Sequence, residues 1–330
     1  MRRTNLALAC LLICMLCPLL GITDISWQVA LNPWGAGALN AGEYQIFWSI
    51  RVPRVCLAAL SGAALAVGGM VFQGIFRNYL ACPFTLGVST GAAFGAALYF
   101  WLGLGFAVAG VSGSSLFAFA GALGTIGTVY FLSSGLSSSA MLLAGVVVSF
   151  FFSSLIVFLQ YISDFQGMFK IMRWLMGGFE TVGWGAVISV LPFVLLGLVL
   201  VRLFERDLDL LTLGDDLALS RGANVKTARL ALFFATSLMI GGVVSVCGPI
   251  GFVGIMVPHM CRILFGTGNR GLTVVTALFG AAFLVVCDTL GRIVVPPYEI
   301  PVGVITALLG GPFFLWILLR ARTSGSARSW

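Results

Sequence analysis

Apolar residues in this chain run in long unbroken stretches, and polar residues are confined to short breaks between them. Ten such stretches can be counted, at about 5–23, 55–73, 86–106, 114–132, 140–162, 185–204, 228–248, 250–265, 272–290 and 300–319. A helix needs about 20 residues to cross a bilayer. The pattern therefore predicts an all-α integral membrane protein with ten transmembrane helices in one bundle. Barrel strands would run about ten residues with strict alternation, and nothing here alternates. The run at 250–265 is short and contains Pro258, so its limits are the least sharply drawn. Because the breaks are short, residues 1–330 read as a single transmembrane domain. Arg2-Arg3 and the following Leu6–Leu20 have the outline of a secretory signal, but Pro18 and the lack of a small-x-small site favour an uncleaved first span.

Composition agrees with residence in lipid. The chain is 60% hydrophobic and only 9% charged, with mean hydropathy +1.08, whereas a soluble domain carries roughly a quarter charged residues. Its 18 Lys and Arg residues set the orientation. With ten spans and the N-terminus inside, 13 of them fall in cytoplasmic segments and 5 outside. The expectation is a multi-pass protein of the inner (plasma) membrane with cytoplasmic N- and C-termini. The net charge of +7 is then mostly a topology signal, and no soluble basic face remains for nucleic acid.

Candidate chemistry is sparse. Most of the eight cysteines lie inside apolar runs, and Cys14 and Cys17 have redox spacing but sit among Leu, Ile and Met in the first span. The lone His259 cannot build a metal site or a catalytic triad by itself. Gly222 to Thr227 superficially resembles a Walker turn, but Val225 stands where glycine precedes the lysine and no strand leads into it. The reading is a chain with no catalytic residues, no metal and no cofactor of its own. An ion-coupled secondary transporter is the alternative. It would want carboxylates near mid-membrane, and Asp164, Glu180, Asp288 and Glu299 all fall at span ends.

The largest polar segment, about 205–227, is cytoplasmic by the charge count. Asp215 and Asp216 follow Gly214 and are good helix-start residues. The segment predicts two short helices hinged at Gly214 and closed at Gly222. It is either an ordinary solvated connector or a docking surface for a soluble cytoplasmic partner.

Five motifs occur in order: Arg51-x-Pro-Arg54; Gln73-x-x-x-Arg77-Asn78-x-Leu80-Ala81; Gly248-x-Ile250-Gly251-Phe252-Val253-Gly254-x-x-x-Pro258-His259; Asp288-x-x-x-Arg292; and Glu299-Ile-Pro-Val-Gly303. Together, over about 45–320, they resemble the FecCD-type permeases, the membrane subunits of ATP-binding-cassette (ABC) importers for iron-siderophores, haem and vitamin B12. One departure is Tyr79, where the family usually has proline.

The resemblance implies ten helices per subunit, built as two inverted five-helix halves, in a homodimeric permease with its path along the dimer axis. It implies two separate cytoplasmic ATPase subunits, which use ATP and magnesium, and a periplasmic substrate-binding protein. An iron chelate, haem or corrinoid would cross by alternating access, with an oxyanion such as molybdate a minor alternative. By the same resemblance, Arg51, Arg54 and Arg292 form an outer rim that docks the binding protein. Leu213, Gly214, Asp215, Asp216, Ala218, Leu219, Ser220, Arg221, Gly222 and Ala223 dock the ATPase, and Ser137 and Ser138 form a cytoplasmic gate.

Overall fold

Each apolar run becomes a helix, with boundaries that follow its prolines, glycines and charges. The computed structural model describes residues 2–21, 23, 25–31, 41–108, 110–133, 138–180, 182–266 and 271–323. Helix α1 (Arg2–Leu16) gives way to a 3-10 turn at Cys17–Leu19, where Pro18 lacks the amide hydrogen that would continue an α-helix. The short helices α2 (Trp27–Leu31) and α3 (Ala41–Gln45) follow. A π-helical turn at Ile46–Arg51 joins α3 to α4 (Val52–Phe76). Pro53 sits in the first turn of α4, the one place in a helix where proline costs nothing.

The chain continues through α5 (Val88–Trp101), a two-residue ribbon of β1 (Ala107–Val108) against β2 (Val111–Ser112), α6 (Gly113–Ser133) and α7 (Ser138–Ile162). Next come α8 (Phe165–Leu175), α9 (Gly185–Leu203), α10 (Glu205–Leu213) and α11 (Asp215–Ser220). The last four helices are α12 (Val225–Cys247), α13 (Val253–Phe265), α14 (Leu272–Ile293) and α15 (Val302–Thr323). Among the described residues, six helical stretches are long and apolar enough to span a membrane by length and composition, and three shorter apolar helices lie at Leu6–Leu19, Val253–Phe265 and Val302–Ile317.

Helix α4 forms the centre of the bundle: 83% of its apolar window is buried, against 22–28% for α6, α7 and α9, which form the perimeter. Small residues make this possible. A methyl group at Gly62 would overlap the backbone of Gly280 on α14, and one at Gly69 would overlap the carbonyl of Gly254 on α13. Lipid tails are as apolar as the helices, so close backbone contact of this kind holds membrane helices together where the hydrophobic effect cannot. Gly91 on α5 and Gly121 on α6 pack in the same way.

The amphipathic helix α8 was not expected. Asp164 caps it by accepting a hydrogen bond from the Gly167 amide at 2.9 Å. Its C-terminal end is pinned by the Gly178 amide donating to Cys247 O at 2.8 Å.

Side-chain contacts gather the polar segments at two ends: Arg54 at the start of α4 meets Asp288 on α14, and Arg77 at the finish of α4 meets Asp215 at the start of α11. The start of α4 and the finish of α14 share the end assigned outward by charge. The finish of α4, the start of α12 and the pair α10–α11 share the end assigned inward.

Candidate functional site

At the outer end, two cationic side chains converge on one buried carboxylate. Arg54, in the first turn of α4, donates from Nε to both oxygens of Asp288 at 3.0 Å and from Nη2 to Oδ1 at 2.9 Å. Its Nη1 donates to Glu299 Oε2 at 2.6 Å. Arg292 lies one turn beyond Asp288 on α14 and brings its Nε within 3.3 Å of Asp288 Oδ2. It also donates to Leu20 O and to Thr289 Oγ1, each at 3.1 Å. Arg51 donates to the carbonyls of Pro18 and Leu19 at 3.2 Å and of Thr23 at 2.7 Å.

The three arginines thus stand together at the outer end, but they are turned inward. Arg51, Arg54 and Arg292 are 6%, 9% and 5% exposed, and Asp288 is 2% exposed. Charges so far from water are tolerated only when paired and fully hydrogen-bonded. The pairing ties α4 to α14 across 234 positions of sequence. It also pairs both Asp288 and Glu299 with arginines, so neither stands as a free proton or cation site.

Beside this cluster, at the same end, lies a cavity of about 260 Å³ lined by Lys170, Arg173 and Trp174 of α8, with Phe100, Glu180 and Pro301. Arg173 donates to Glu180 at 2.5 and 3.3 Å on its rim.

At the inner end, the expected two-helix segment is present. Helices α10 and α11 meet at Gly214, whose φ of +125° belongs to glycine, and Gly222 closes the segment with φ +81°. Asp215 anchors it. Its carboxylate accepts from Arg77 Nη2 at 3.1 Å and from Arg229 Nη2 at 2.9 Å, joining the end of α4 to the start of α12.

Along α10, Leu208 and Leu211 are buried, whereas Leu213 points outward. In α11, Ala218 is fully buried while Leu217 and Leu219 are more than half exposed. Of the expected residues, Asp216, Ser220, Arg221 and Gly222 are exposed, and Ala223 is buried. Leu217 had not been singled out. Its signal was the helical period, which turns it about 100° away from the buried Ala218 once α11 is known to be helical.

Other inner contacts support this handle. Glu205, 1% exposed, pairs with Arg202 and accepts from the Gly271 amide at 3.0 Å and Thr273 Oγ1 at 2.8 Å, capping the start of α14. Tyr79, the departure in the polar turn, lies under the Arg262 guanidinium, 5.3 Å from ring centroid to Cζ. Arg262 also bonds Gln73 Oε1, and Gln73 Nε2 donates to Gly254 O at 3.3 Å. Burial in the same turn pushes the Cys82 thiol above its ordinary value.

Of the candidate gate residues, Ser137 lies outside the described residues and Ser138 is the first residue of α7. Among the described residues, no group of three or more His, Cys, Asp or Glu side chains could hold a metal. The His259 ring lies edge-on to Phe313 at 6.2 Å.

Residues 8–320 match the signature of the FecCD transport family. The chain belongs to this family. It is an ABC importer permease, a membrane transport component and not an enzyme. It is 38% identical over 311 residues to the hemin transport system permease protein HmuU of Yersinia pestis, covering 93% of this chain and 92% of that one. Identity is 39% over 306 residues with the Fe(3+) dicitrate transport system permease protein FecD of Escherichia coli, covering 92% and 93%. A solved metal-chelate type ABC transporter in an inward-facing conformation superposes with a TM-score of 0.85 at 30% identity, covering 96% of this chain and 98% of that one.

Proposed function

We propose that this permease passes an iron chelate or haem, or else a corrinoid, across the inner membrane after delivery by a periplasmic binding protein. Two copies of the chain form the path, each with ten crossings and with both termini in the cytoplasm. Separate ATPase subunits drive alternating access from the inner end.

The observation that carries this reading is the inner handle. Short helices held by Asp215 present Leu213, Leu217 and Leu219 to solvent beside exposed charge. A small protein contact needs that combination of apolar anchors and polar surround. Similarity to permeases named for hemin and for Fe(3+) dicitrate supports the cargo class. Ser137 and Ser138, at the entry to α7, are proposed as a cytoplasmic gate of the path.

The test is uptake. Proteoliposomes holding the permease with the ATPase from the same operon, supplied with a binding protein and radiolabelled ferric chelate or haem, should accumulate cargo only with ATP. Accumulation driven by a sodium or proton gradient without ATP would overturn the proposal.

A further inference from the structure

The outer ion cluster divides into a fixed part and an exchangeable part. Two of the three Arg54 nitrogens, Nε and Nη2, are spent on Asp288, which is 2% exposed and cannot be reached from solvent. Only Nη1 is directed at the outer surface, where it meets Glu299. The Glu299 side chain is 48% exposed. It belongs to the stretch 293–299, every residue of which is exposed.

The base of that stretch is tied down, because the Ile300 amide donates to Gly291 O at 2.9 Å. Glu299 can therefore leave Arg54 without disturbing α14 or the start of α15.

Charge makes the vacated position demanding. Arg54 and Arg292 share a single buried carboxylate, Asp288, and Glu299 supplies the second negative charge. Without Glu299, two guanidinium groups would face one carboxylate in a poorly solvated place. Such a site attracts another carboxylate strongly.

We infer that Glu299 is the resident occupant of a carboxylate seat on Arg54, and that an acidic side chain of the docking protein displaces it. The inference rests on the importer reading, in which a binding protein docks at this end. It gives the inward-turned Arg54 a way to take part in docking: the incoming acid replaces an internal one at Nη1. Docking becomes an exchange of like charges, so its net strength stays modest and the partner can leave again. Between the fixed end of α14 and the tied Ile300, residues 294–299 take up the movement at each exchange.

The test uses the full-length permease in lipid nanodiscs and hexaglutamate peptide as the probe, titrated at low salt and at physiological salt. Glu299→Gln keeps the side-chain shape and removes the competitor. It should bind the peptide about five-fold more tightly than the wild type, the scale of one surface ion pair, and the gain should shrink with salt. Glu299→Asp should stay near the wild type.

A second readout is the modification of Arg54 by p-hydroxyphenylglyoxal, which should be faster in Glu299→Gln and slowed again by the peptide. An unfolded variant would expose Arg51 and Arg292 as well as Arg54, so faster modification confined to Arg54 separates the expected gain from misfolding. Peptide binding in Glu299→Gln no tighter than in the wild type, or a gain without protection of Arg54, overturns the inference. ATP-driven uptake separates the two proposals. Uptake without the peptide gain overturns this inference alone, and the peptide gain without uptake overturns the importer reading.

Discussion

The outer and inner ends of the bundle hold their charges in opposite ways. At the outer end, Arg54, Asp288 and Arg292 have side chains 2–10% exposed; Arg54 holds Asp288 through three hydrogen bonds of 2.9–3.0 Å, and Arg292 adds an ion contact at 3.3 Å. At the inner end, Arg77, Asp215 and Arg229 meet with side chains 26–43% exposed. Buried pairs resist separation because either partner alone would be a desolvated charge. Exposed pairs are screened and exchange easily with water. The outer cluster is accordingly an anchor between α4 and α14, and the inner one is a solvent-screened tie that holds α11 to the end of α4 and the start of α12.

The largest expected consequence of this difference is at Asp288. Asp288→Ala leaves two arginines without their shared buried carboxylate and should cost about 3–5 kcal/mol of stability. It should be visible as poor yield and a sharp fall in the melting temperature of the purified permease. An unchanged melting temperature would show that water already solvates the cluster.

Asp215→Asn should do far less to stability, within about 1 kcal/mol, because the pair it breaks is exposed. Its effect should appear in coupling: ATP hydrolysis by the assembled complex should lose its stimulation by binding protein while the permease melts as before. A stability loss matching that of Asp288→Ala would erase the distinction between the two ends.

Much of the fold was legible because the membrane requires it. Backbone groups in lipid must bond within a helix, so run length alone located the helices that end at Ile162, Leu203 and Cys247 to within a few residues. The α10–α11 segment was legible for a local reason, a glycine followed by two helix-starting aspartates. What could not be read depended on distance or on context. The Arg54 guanidinium finds Asp288 across 234 positions, and no local pattern says that an arginine at a span boundary turns inward and not toward water. Helix α8 is too short and too charged to register as an apolar run, and its one local signal was the capping Asp164. Tyr79 stood out only as a missing proline until the structure placed Arg262 over its ring.

The most direct test of the division of labour targets the inner surface and spares the anchor. Leu213→Asp combined with Leu217→Asp places two charges on the exposed apolar face of the handle and touches no ion pair. The doubly substituted permease should keep the wild-type melting temperature yet fail to retain the ATPase during affinity purification of the assembled complex. Full retention of the ATPase by this variant would contradict the assignment of α10–α11 as the surface through which the two subunits meet.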